Sequence, residues 1–373
     1  MKKKICLISL ILLALVSCNN DEILQINNGN KIVFRTAIDT RATELTAEGL
    51  NSFYVTALTE KGENYFTNVL FEKDNNGMFV SRQEYYWPAE GSLEFYAYAY
   101  APYNIQLDSI TINSEAKMMN GFEANSEISQ QIDFVSAHAT GNKEHNVAGI
   151  TLTFKHQLSQ IEVKGKNTNR GYEIIVKGMK IVNVAYKGDF SLMLDVWTPK
   201  YDELTNYEVQ FYTPITLSDN LASFMNNMGN AMLVPQARQK WSLANNNVIE
   251  QVAEDEGEDD TEGEGEGETE TETETEITDP NGFRLDFYVQ INTKDGARVF
   301  PSDGSDYGWV TQPIAIQWVG GYKYTYNCDF SYGAGIDPDT EEPIYGEKIN
   351  VSVNFSNLNW SQQNWNTIDV GQE

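Results

Sequence analysis

From Lys31 onward, the hydrophobic and polar positions read as β-strands almost throughout the chain. In KINVSVNF, Ile349, Val351, Val353 and Phe355 alternate with Asn350, Ser352 and Asn354. On a strand, that pattern turns one set of side chains inward and the other to solvent. KIVFRT, NSFYVTALTE, MFVSRQEYYW, GITLTFKH, EIIVKGMKIV, YEVQFYT, FRLDFYVQIN and YKYTYNCDF are equally rich in Val, Ile, Thr, Tyr and Phe. Turn residues punctuate them at the spacing of roughly 8–12 residues usual for short strands. SLEFYAYAY departs from the alternation. Leu93, Phe95, Ala97 and Ala99 fall on one face and Tyr96, Tyr98 and Tyr100 on the other. This predicts a central strand covered on both sides.

In GITLTFKHQLSQIEVKG, Ile150, Leu152, Phe154 and Leu158 share one parity, whereas Ile161 and Val163 take the other. One extra residue near Ser159-Gln160 would restore the inward face, so a β-bulge or bend is expected there. Leu221 to Met228 and Ser114 to Met119 are short candidate helices. No strand–helix–strand alternation is visible, which argues against a parallel sheet. The pattern predicts an all-β protein, a β-sandwich twice over. The polar stretch His138 to Asn146 is the expected boundary, with one domain over 31–146 and a second over 147–373. Within the second, residues 254–276 hold 14 acidic residues and no basic one. Self-repulsion and the lack of apolar groups predict a disordered surface loop. Calcium binding is the alternative, but the spacing lacks the alternating ligands, turn glycine and bidentate Glu of a calcium loop.

The first residues change the setting. Lys2, Lys3 and Lys4 precede an apolar run from Ile5 to Val16, and Leu15-Val16-Ser17-Cys18 reads as a lipobox. The run is shorter than the ~20 residues that span a bilayer. It reads as a removed lipoprotein signal over 1–17, with diacylation at Cys18 and a polar tether over 18–30. Asp21 and Glu22 are either a surface-export signal or part of a soluble tether. Of the two cysteines left, lipid occupies Cys18, so no intramolecular disulfide is available. Cys328 reads as a small buried hydrophobe. The net charge of −28 repels nucleic acid and anionic membranes. Half of it lies in the acidic stretch.

Candidate chemistry is sparse. His138, His145 and His156 have no ligand spacing, no metal or cofactor is expected, and packing at a sandwich edge is expected of His156. Asp303-Gly304-Ser305-Asp306 reads as a turn in preference to a cation site. Trp197, Trp241, Trp309, Trp360 and Trp365 either pack in the core or form a sugar-stacking platform. Asp108-Ser109-Ile110 is either an O-glycosylation acceptor or a polar turn.

Several motifs in order resemble the fimbrillin family of type V pilus subunits. They are the lipobox, KIVFRT followed by Thr40-Arg41-Ala42, and YYWPAEGSLEFYAYAYAP (Tyr85 to Pro102). DFVSAHA (Asp133 to Ala139), ITLTFKHQLSQIEVKGKN (Ile150 to Asn167) and Met232 to Gln236 follow. WVGGYKYTY (Trp318 to Tyr326) and INVSVNFSNLNW (Ile349 to Trp360) close the series. The resemblance implies two tandem transthyretin-like β-sandwich domains. It implies surface delivery as a lipoprotein, cleavage by an arginine-specific protease, and filling of the vacated groove by a strand of another subunit. Carried over, the displaced strand is Lys31 to Thr36, with Ile32 and Phe34 as its inward side chains, and the scissile bond is Arg41-Ala42. Arg35 is a poorer target because it lies within the strand. The acidic insertion and the short stretch after Trp360 depart from the family pattern and leave stalk, tip or anchor open. The expected protein is therefore a non-enzymatic pilus subunit or tip adhesin. Its partners would be other subunits, the outer membrane through lipid on Cys18, and the protease, with host or bacterial surface glycans or proteins as further candidates. It would sit on the outer membrane and, after processing, in the fimbrium. A lipid-anchored, non-polymerising glycan-binding protein is the alternative, and a surface glycoside hydrolase stands behind both.

Overall fold

The computed structural model describes residues 31–38, 49–101, 110–226, 228–242, 279–357 and 366–370. The first half comprises β1 (Phe34–Ile38), β2 (Ser52–Thr59), β3 (Asn64–Lys73), β4 (Phe79–Ser81), β5 (Ser92–Ala101), β6 (Ile110–Ile112), β7 (Lys117–Glu123), β8 (Asp133–Asn142) and β9 (Ile150–His156). The second begins with β10 (Ser159–Lys166), β11 (Tyr172–Ala185), β12 (Lys187–Ser191), β13 (Val196–Pro199), β14 (Leu204–Thr216), β15 (Ala222–Ser223), β16 (Ala231–Leu233) and β17 (Ala237–Arg238). It ends with β18 (Arg284–Thr293), β19 (Arg298–Phe300), β20 (Gly308–Pro313), β21 (Ile316–Gln317), β22 (Tyr322–Asp329), β23 (Asn350–Asn357) and β24 (Asn366–Val370). The all-β expectation holds. Among the described residues the one helical element is a 3-10 turn at Ile128–Gln130. The two segments read as candidate helices instead contribute β15 and the start of β7, because each is too short to bury a helical face and finds strand partners.

Strands β1-β4-β3-β2-β5-β8-β9 close into a barrel. Strand β5 lies between β2 and β8, and both its faces are covered, as its sequence predicts. Leu93, Phe95, Ala97 and Ala99 belong to the barrel core. Tyr96, Tyr98 and Tyr100 join the larger core cluster outside it. That larger core lies between two sheets of the second half. One runs β15-β10-β22-β23-β24 and the other β14-β11-β18-β19, with β20 also on β18.

The parity change around Gln157 is not a bulge. Strand β9 ends at His156 and β10 begins at Ser159. Phe154 is in the barrel core, whereas Leu158, Ile161 and Val163 are in the second core. The inward face resets because the chain changes sheets. Gly320 allows this crossing, since a Cβ there would stand 2.6 Å from the Gln157 carbonyl oxygen.

Two sets of strand pairings cross the expected boundary at 146/147. Strand β9 pairs with β8 and β1 in the barrel, so the passage between sheets comes at Gln157-Leu158. Strand β7 of the first half also pairs with β12 of the second, within a sheet ordered β13-β12-β7-β6. The halves share this sheet. It packs on the outer face of the barrel through an aromatic seam in which Phe134 lies 5.4 Å from Phe190 and 6.2 Å from Trp197. Trp197 also donates from Nε1 to the Gln157 carbonyl at 2.6 Å.

Candidate strand-exchange site

The site is the place of β1 in the barrel. Chain alternation turns Ile32 and Phe34 inward, and both are fully buried. Phe34 sits among Phe71, Phe95 and Phe53 at ring distances of 4.8, 5.2 and 6.0 Å, each edge-to-face. Such contacts add to the about 1.5–3 kcal/mol that burial of one large apolar side chain contributes. The backbone of β1 is held less evenly. It runs parallel to β9 from Phe34↔Ile150 to Ile38↔Phe154 and meets β4 at Phe34↔Phe79. Ahead of it, the Ile32 N–H donates to the Tyr85 carbonyl at 2.8 Å. Lys31 reaches Glu84 at 2.7 Å, and hydrogen bonding from Lys31 and then Tyr86 holds the Glu84 carboxyl below its usual range. Gly149, at φ +101, lets the backbone approach β1, and the next N–H, of Ile150, donates to the Val33 carbonyl at 3.0 Å.

The geometry modifies the sequence expectation. The strand begins at Phe34 in place of Lys31 and continues to Ile38. It is the stave that closes the barrel between β4 and β9, so its departure opens two flanks together with the Ile32 and Phe34 pockets. A strand reveals its own inward residues by alternation but not its neighbours. The partners Phe71, Phe95 and Glu84 therefore have no signal in the local sequence. Arg35 is half-buried within β1, opposite Thr151. Cys18, Arg41, Ala42, Asp108, Ser109, the acidic stretch 254–276, Trp360 and Trp365 lie outside the described residues.

The other candidates disperse. Trp197 is in the seam. Trp241 is buried beneath the Arg284 guanidinium at 4.4 Å. Trp309 stacks with Tyr288 at 4.9 Å under the Lys180 ammonium at 4.0 Å. These three tryptophans do not form one platform. His156 is buried at the end of β9, with Nδ1 2.7 Å from buried Asp133. His138 stacks on Tyr96 at 4.6 Å and meets Glu94 at 3.0 Å. Asp303 caps its own turn by accepting from the Ser305 N–H at 2.8 Å. Burial pushes the Cys328 thiol up, which makes it a packing group. A cleft of about 690 Å³ in the second half is lined by Ile316, Val319, Tyr322, Tyr324 and Phe355, with Arg238 and, among the described residues, no carboxylate in its wall. Among the described residues no group of three or more His, Cys, Asp or Glu side chains is placed to hold a metal.

The sequence model of the fimbrillin-like family matches residues 40–354. The chain belongs to the fimbrillin-like family. Among solved structures, this fimbrillin-like chain is similar to a candidate cell adhesion protein of Parabacteroides distasonis. Identity is 11%, coverage 89% of this chain and 100% of the other, and the TM-score 0.47. A candidate cell adhesion protein of Bacteroides uniformis gives 13% identity, 90% and 100% coverage, and a TM-score of 0.44. The fimbrial anchor protein Mfa2 of Porphyromonas gingivalis gives 10%, 85% and 99%, and 0.33. Among curated proteins none matches.

Proposed function

We propose that this fimbrillin-like protein is a structural or adhesive subunit of a surface pilus, exported as a lipoprotein and assembled by strand exchange after cleavage at Arg41-Ala42. The observation that carries the reading is the place of β1. Phe34 and, just ahead of the strand, Ile32 fill the barrel core, while the backbone of β1 closes the barrel between β4 and β9, and Arg41 follows its end by three residues in the sequence. Intact, β1 competes at the high effective concentration that covalent attachment confers. Cut after Arg41, it loses that advantage, and a strand of another subunit supplies main-chain bonds to β9 and side chains to the pockets. The role is structural, with other subunits as partners and the cell surface as location.

The test is treatment with an arginine-specific protease. Wild-type protein should form a ladder of polymers, and Arg41→Ala should stay monomeric with unchanged thermal stability, since the substitution removes the cut and leaves the Ile32 and Phe34 core contacts in place. The same ladder from the mutant would refute the assignment of the cut. Surface attachment is tested separately. Cys18→Ala should abolish incorporation of radiolabelled palmitate and surface delivery, and equal labelling of mutant and wild type would remove the lipid anchor from the scheme.

A further inference from the structure

We infer that Arg35 is the residue that makes β1 replaceable once it is cut, an inference that rests on the strand-exchange reading. Three of the four residues from Ile32 to Arg35 fit their surroundings closely. Ile32 and Phe34 are fully buried in the barrel core and Val33 is 7% exposed on the other side. Arg35 does not match this fit. Its Nε is buried and has no hydrogen-bond partner among the described residues. Its register neighbour on β9 is Thr151, whose side chain is exposed. A guanidinium N–H taken out of water without an acceptor loses its hydration and regains nothing, which is the costly half of hydrogen-bond energetics. The segment Ile32 to Arg35 thus carries a local conflict beside three well-matched residues. While the chain is intact the tether outweighs that conflict. After cleavage the conflict weighs directly on affinity. A strand with the same apolar pair but no buried N–H at the Arg35 register then binds the same groove more tightly.

The experiment is a peptide competition on the full chain cut after Arg41, with the protease inhibited afterwards. The cut strand carries a fluorophore ahead of Lys31. Displacement is followed with synthetic 31–41 peptides of wild-type sequence, with Arg35→Lys and with Arg35→Thr. Lysine places a methylene where Nε stands and keeps the positive charge, so it isolates the buried N–H from charge. Both variant peptides should displace the label at concentrations about tenfold lower than the wild-type peptide, the ratio expected for removing one unsatisfied buried donor. Equal potency of the Arg and Lys peptides would overturn the inference. So would an advantage confined to Arg35→Thr, because charge or strand propensity would then be the cause. Failure of every peptide to displace the strand at any concentration would instead sink the strand-exchange reading itself.

Discussion

Phe34→Ala is expected to lower the unfolding free energy by about 3–5 kcal/mol, the range for truncating a core phenylalanine. The ring is fully buried and touches three other rings edge-to-face. These rings come from β2, β3 and β5, strands fixed by their own ladders, so they cannot collapse into the space it leaves. The residual cavity adds to the lost transfer energy. Lys31→Ala is the internal comparison. Its ion pair with Glu84 is exposed, with side-chain exposures of 28% and 51%, and such pairs contribute about 0–1 kcal/mol. Guanidinium denaturation of both variants checks this. A loss below about 1 kcal/mol for Phe34→Ala would mean that β1 does not sit in the barrel core.

Phe190→Ala is expected to cost a similar amount, about 3–5 kcal/mol, while the protein still unfolds in one transition. Phe190 is fully buried and lies on β12, the strand that β7 pairs with across the two halves. Its ring meets Phe134 of the barrel at 5.4 Å and Trp197 at 5.0 Å. A fragment ending at residue 146 would leave β7 without β12 and β1 without β9, so neither half should fold alone. Tryptophan fluorescence and far-ultraviolet circular dichroism should give coincident curves for wild type and mutant. Two separated transitions in the wild type would show that the shared sheet does not couple the halves.

Local pattern reaches a definite depth in this chain. The two-sided burial of β5 follows from Leu93 to Tyr100 alone, because a strand apolar on both faces has nowhere stable to lie except between two cores. The inward set Ile349, Val351 and Val353 and the packing role of Cys328 follow from the same rule, as do the buried Ile32 and Phe34. The parity change between Phe154 and Ile161 was legible as an event, but its nature was not. A bulge and a change of sheet shift the inward face in the same way, and only the separate cores distinguish them.

The residue pattern is therefore informative in one dimension: which residues are strand, which face each turns inward, and that the protein is all-β. Tertiary structure alone decided the partners. It set β1 beside β9, more than a hundred residues later, and made it the closing stave of a barrel. It joined β7 to β12 across the two halves, and it left the Arg35 Nε buried without an acceptor among the described residues. The physical reason is that main-chain hydrogen bonds carry no residue identity. Alternation fixes the orientation of each strand within a few residues, whereas the choice of neighbour is made by the packing of whole faces such as the Phe34, Phe71 and Phe95 cluster. That packing depends on contacts distributed over the entire chain.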